Sequence, residues 1–114
     1  MVMNTLITGN ETFRDVALNM TLERTPEPVI VRPGGTTPLS LDHIQVGTLV
    51  IDNVDQLSEA NQSALMTWLD VSPVRVVAVA GRPLFDRVQA HGFRADLYYR
   101  ICTEHVCPEP DLAS

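Results

Sequence analysis

Residues 47–57 read GTLVIDNVDQL, and within them Thr48, Leu49, Val50 and Ile51 make an unbroken β-branched and aliphatic run that ends in Asp52. A strand with one face on the core alternates apolar and polar residues, whereas a strand buried on both faces carries no polar position in its middle. The run therefore predicts the central strand of a parallel sheet with helices on both sides.

The flanking segments agree. Downstream, Ser58 followed three residues later by Asn61 is a weaker form of the capping box, and Leu57, Ala64, Leu65, Trp68 and Leu69 mark one face of a helix that Ser72-Pro73 closes. Residues 74–80 supply another strand, Pro83 opens a helix carrying Leu84, Phe85 and Val88, and Gly92 stands where a C-terminal cap belongs. Residues 101–106 read as a fifth strand. Upstream, residues 4–8 form a first strand. After Gly9 and Asn10, the apolar residues Phe13, Val16, Ala17 and Met20 recur at helical spacing, with Asn10 or Thr12 as the cap. Thr25-Pro26-Glu27-Pro28 breaks the chain before a short strand at 29–31, and Pro33-Gly34-Gly35 opens a stretch that is mostly loop as far as Gln45. Strands alternating with helices define the class as α/β, in one domain over residues 1–107 with a loose tail at 108–114.

Composition narrows the function. The 114 residues suffice for a conventional core without disulfide or metal staples. A net charge of −6 opposes a broad phosphate-binding surface, so no direct contact with nucleic acid is expected. Apolar residues make up 45% and charged residues only 19%, below the roughly 25% of an average soluble domain, which suggests a surface built to meet a partner. No apolar run reaches the ~20 residues that cross a bilayer, and the N-terminus lacks a basic segment ahead of its short apolar stretch. The expected setting is cytoplasmic, without membrane association. Cys102 and Cys107 lie five apart, which sends their side chains to opposite faces of an extended strand, and together with His105 they match no zinc spacing. Both are read as ordinary thiols.

Ligands of open parallel sheets collect at the carboxyl ends of the strands, where Asp52 could hold a magnesium ion beside a nucleotide. GTLVIDNVDQL thus reads as a Walker-B-like strand, although an Asp at a strand end also commonly just caps the next turn. A hydrolytic site of this kind needs a carboxylate next to the metal-binding Asp to orient water, and that position is Asn53. An amide can hydrogen-bond to water but cannot take its proton. Asp55 is the available substitute, two residues further on.

Three segments in order, GTLVIDNVDQLSEANQSALMTWLD, VRVVAVAGRPL and GFRADLYYRI, resemble the AAA+ domain of sigma-54-dependent transcriptional activators, from about Thr48 to Ile101. The resemblance implies a three-layer P-loop NTPase-like core with a five-stranded, mostly parallel sheet in which the strand at 4–8 lies between the fourth and fifth. It aligns Asp52 with the Walker B Asp, Gly81 with the sensor I Asn, and Arg94 and Arg100 with the arginine-finger positions. In the family such arginines reach the γ-phosphate of a neighbouring subunit's ATP, where a fixed guanidinium neutralises developing charge. By themselves, Arg94 and Arg100 could equally do no more than solvate the ends of a short helix.

The departures from the family pattern sit where the chemistry would be. TLITGNETFRDVALNM keeps a strand, Gly9 and a helix, but the later glycines and the lysine of the phosphate-binding loop are missing, leaving Arg14 as the nearest cation. Asn53 replaces the Glu and Gly81 the sensor Asn. VRPGGTTPLSLDHIQV occupies the interval of the sigma-54-contacting GAFTGA loop and contains no such motif, so sigma-54 contact is doubtful. The chain stops at CPEPDLAS, where the family continues into a helical lid, so no lid subdomain is expected. The resulting expectation is a non-hydrolysing regulatory or interaction domain in transcription, with no cofactor. Its partner would be an AAA+ activator or a second copy, met through the face of Arg94 and Arg100. The alternatives are a minimal ATP- and magnesium-binding NTPase built on Asp52, Asp55 and Arg14, a nucleotide-independent binding module using Trp68, Tyr98 and Tyr99, and a folded remnant without a present role. Trp68 is expected in the core, and one of the two tyrosines on the surface.

Overall fold

A computed structural model describes residues 3–35 and 39–108. Its element order is β1 (Thr5–Thr8), α1 (Glu11–Leu22), β2 (Val29–Pro33), β3 (Thr48–Asp52), a 3-10 turn (Val54–Gln56), α2 (Glu59–Val71), β4 (Arg75–Ala80), α3 (Leu84–Gln89), α4 (Ala95–Ile101) and β5 (Glu104–Val106). All strand pairs are parallel, in the order β2-β3-β4-β1-β5. The protein is α/β, and β1 lies between β4 and β5 as the resemblance implied.

The period-2 geometry of the strands divides the core in two. Leu6, Leu49, Ile51, Val76, Ala78 and Ala80 face α2, α3 and α4, while Ile7, Val50, Val77 and Val79 face α1. Each fully buried Leu or Ile contributes about 1.5–3 kcal/mol, so this two-sided burial is what makes the unbroken apolar runs stable as strands. Neighbouring parallel strands need a crossover of a dozen or more residues. Between β2 and β3 it contains no helix among the described residues. Instead Leu39, Leu41 and Ile44 turn inward and join the larger cluster. Positions 36–38 of the expected loop, and the expected tail at 109–114, lie outside the described residues.

Several local expectations are corrected. Residues 101–106 are not one strand: Ile101 ends α4, and only Glu104–Val106 pair with β1. The cause is Asn4, just ahead of β1, whose Nδ2 donates to the Arg100 carbonyl at 2.9 Å while its own backbone carbonyl accepts from Glu104 N at 2.9 Å, so one residue stops the helix and starts the strand. On α1 the inward residues are Phe13, Ala17, Leu18 and Leu22; Val16 and Met20 point outward. The helix thus uses a stripe rotated from the one expected, because a single helix on a sheet needs only a narrow apolar face. Ala64 is exposed, and Trp68 is half-buried against the larger cluster. Past α3 it is His91, at φ 62°, that takes the left-handed cap position, with His91 N donating to Val88 O and Gly92 N to Arg87 O. Tyr99 is exposed and Tyr98 half-buried.

Candidate functional site

The carboxyl ends of β3 and β4 and the first turns of α1 enclose a cleft of about 320 Å³. Its rim carries Glu11, Arg14, Asp15, Asp52 and Asn53, and its floor includes Val50 and Val79. Asp52 ends β3 with its side chain exposed. Asn53 then adopts φ 54°, ψ 51°, a left-handed conformation that costs most L-residues roughly 1–2 kcal/mol but that Asn tolerates. This turn is fixed from the β2 side. Gly34 N donates to Asp52 O at 2.6 Å, and a Cβ on Gly34 would lie 2.2 Å from Asn53 O, so only glycine fits there. Arg14 lies over Gly81: a Cβ at Gly81 would stand 3.1 Å from Arg14 Nη1. The absence of a side chain at Gly81 thus leaves the space that the guanidinium uses. Four of the expected site residues, Arg14, Asp52, Asn53 and Gly81, come together in this way.

The β1–α1 junction, expected to align with a phosphate-binding loop, is short. Only Gly9 and Asn10 separate β1 from α1, too few to wrap a phosphate. The Asn10 side chain accepts from Phe13 N at 2.8 Å, so one of the amides that a helix N-terminus can offer an anion is already engaged. A Cβ on Gly9 would meet Phe13 at 2.7 Å and Pro108 at 3.1 Å, which shows how tightly those two rings cover the turn. The cleft also holds three carboxylates against one guanidinium, a balance that repels a polyphosphate. Among the described residues, no three His, Cys, Asp or Glu side chains converge to hold a metal ion. Asp55 enters the 3-10 turn rather than the cleft lining, with one carboxylate oxygen buried and without a partner among the described residues.

The two arginines of FRADLYYR lie on the other side of the sheet, at opposite ends of α4, about 9 Å apart along its axis at 1.5 Å per residue. Arg94 makes two bonds to Asp96, Nε to Oδ1 at 3.0 Å and Nη2 to Oδ2 at 2.8 Å, and a third from Nη1 to Ser63 Oγ at 3.1 Å. The hydrogen bond with Asp96 raises the Arg94 pKa and lowers that of Asp96. Its side chain remains 41% exposed, so the guanidinium is presented rather than buried. Arg100 instead pairs with Asp70 at the end of α2, Nη1 to Oδ1 at 2.6 Å. The structure does not join Arg94 and Arg100 into one site.

Gln62 was invisible to sequence reasoning and holds this region together. Buried on α2, it donates through Nε2 to Leu57 O at 3.0 Å and Gly92 O at 3.2 Å, and accepts from Arg94 N at 2.8 Å through Oε1. Nothing local marks this Gln for burial, because two of its three backbone partners are 30 and 32 residues away. The Asp96 clasp had a signal, an Asp two residues after an Arg. The capping role of Asn10 was readable in the sequence, but its consequence for anion binding was not.

The sequence pattern of the family described as Sigma-54 interaction domain matches residues 10–109. Two Nif-specific regulatory proteins of Rhodobacter capsulatus are each 35% identical over 77 aligned positions, covering 56% of this chain but only 13% of their own length. NtrX from Brucella abortus, in a crystal structure with ATP, superposes with a TM-score of 0.77 at 15% identity, over 93% of this chain and 32% of NtrX. Its structure with ADP gives a TM-score of 0.71 at 14% identity, over 93% and 31%. At such identity the NtrX likeness establishes the fold alone. The chain spans about a third of NtrX and a much smaller part of the regulatory proteins.

Proposed function

The chain belongs to the Sigma-54 interaction domain family, and from that premise we propose that it is a non-hydrolysing regulatory module of transcription, acting by protein contact rather than by turnover of ATP. The observation that carries this reading is the β1–α1 junction, where only Gly9 and Asn10 separate strand from helix and the Asn10 side chain takes the amide of Phe13. The acidic balance of the cleft, the Phe13 and Pro108 cover over Gly9, and an amide in place of the water-orienting carboxylate support it further. These residues do not fit a magnesium nucleotide, so no catalytic step is assigned to them.

The contact is made through the Arg94 edge. Its guanidinium is held on the surface by Asp96 and Ser63, and its backbone by Gln62. A rigid planar cation on an exposed rim suits a carboxylate or phosphate on another protein. The partner is an activator with an intact nucleotide site. Neither nucleic acid, membrane nor sigma-54 itself is contacted directly. The charge opposes the first, and the sequence of residues 34–47 carries no GAFTGA motif for the third. As for the second, no helix among the described residues is long and apolar enough to cross a bilayer.

The test is isothermal titration of the chain with ATP and magnesium, beside Asp52→Ala. Heats no larger than dilution at millimolar nucleotide are expected. Saturable binding that disappears in Asp52→Ala would overturn the reading and restore a working nucleotide site.

A further inference from the structure

The two faces of the sheet are unequally covered. Three helices and the 39–44 segment lie on one side, and α1 alone on the other, seated over β1 and β4. Among the described residues nothing covers the outer surface of α1 or the flank toward β5. Val16 is 55% and Met20 57% exposed, one helical turn apart on the same side, and Met3 ahead of β1 is 53% exposed. Met3 and Met20 share a groove of about 420 Å³ with Ala17 and Val106, running between α1 and β5. Apolar side chains gathered on one surface mark a contact site, and methionines adapt their shape to what they meet.

The rim of this groove carries both signs of charge. Arg24 and Arg75 stand on it, and so does Glu104. Arg75 Nη2 donates to Thr5 Oγ1 at 2.9 Å, and the Thr5 hydroxyl donates in turn to Glu104 Oε1 at 3.1 Å, which places the cation and the carboxylate close together across one threonine. A partner of uniform charge would meet a repulsive group on either side. A patch with an apolar centre and adjacent opposite charges is instead complementary to its own two-fold copy, the arrangement of the commonest homo-oligomers.

We propose that this face is an isologous dimer interface, in which a second copy of the chain packs its α1 against α1, with Val16 and Met20 at the centre and Arg24 turned toward the partner subunit's Glu104. The surface lies across the sheet from Arg94, so dimer formation leaves the Arg94 edge free.

Sedimentation equilibrium over a concentration series tests this. The wild-type chain is expected to show a reversible monomer–dimer equilibrium. Met20→Glu sets like charges at the centre of the two-fold contact and should raise the dimer dissociation constant by about tenfold or more. Val71→Glu, at an 80% exposed position on α2 across the sheet, should leave it unchanged. Arg24→Glu should weaken the dimer at low salt and less at high salt. A wild-type chain that stays monomeric throughout, assemblies larger than a dimer, or equal weakening by Met20→Glu and Val71→Glu would each overturn the proposal. Met20→Glu and Val71→Glu both lie on exposed helix surface, and matching circular dichroism spectra separate loss of contact from loss of fold.

Discussion

Gln62 makes the sharpest demand on the structure. Replacing it with Leu keeps roughly the same side-chain volume but removes three hydrogen bonds, leaving Leu57 O, Gly92 O and Arg94 N without their partner. At a net value of about 1 kcal/mol per bond the loss is about 3 kcal/mol. It lies above three separate surface bonds, whose groups water would satisfy, and below three full desolvation penalties, because the Gly92 and Arg94 bonds are only part-buried. Against a total stability of about 5–15 kcal/mol for a domain this is a large fraction. Trp68, the single tryptophan and half-buried against the core, reports unfolding in urea. With a slope of about 2 kcal/mol per molar the midpoint should fall by roughly 1.5 M. The Arg94 amide should also exchange faster with solvent, since its acceptor is gone. A midpoint shift below about 0.3 M with unchanged Arg94 exchange would mean that Gln62 does not bind Gly92 and Arg94 to α2, and the account of the Arg94 edge would fail.

Asn53→Glu, which restores the carboxylate of an active site, should cost about 1 kcal/mol because Glu is forced into a left-handed conformation, while Asn53→Gly should be nearly neutral. Thermal melting compares them, and a fully stable Asn53→Glu chain would refute the turn geometry. The Asp96 carboxyl is held below the usual carboxylate range by its hydrogen bond with Arg94. Its contribution is therefore complete above the unfolded pKa and lost only as pH falls through the lowered folded value. Carboxyl carbon shifts should show this low midpoint, and Arg94→Ala should raise it toward the ordinary range; a midpoint indifferent to Arg94 would contradict the clasp.

What the sequence determined by itself was whatever depends on neighbours along the chain. The runs at 48–51 and 74–80 declare strands buried on both faces, Ser58 and Asn10 cap their helices through bonds three residues long, and Asp52 falls at a strand end because the apolar run stops there. The loss of the phosphate-loop glycines and lysine was likewise plain from the order of residues. Tertiary structure alone decided where α4 gives way to β5, because that border is set by Asn4 from 96 residues away. It also decided which stripe of α1 turns inward, since the helix packs on a sheet whose strands come from distant parts of the chain. The same holds for the site. Arg14 meets Gly81, and Gly34 presses on Asn53, only after β1, β2, β3 and β4 have been laid side by side. Local periodicity specifies elements, whereas the contacts that end, aim and occupy them are made between groups that the chain brings together only by folding.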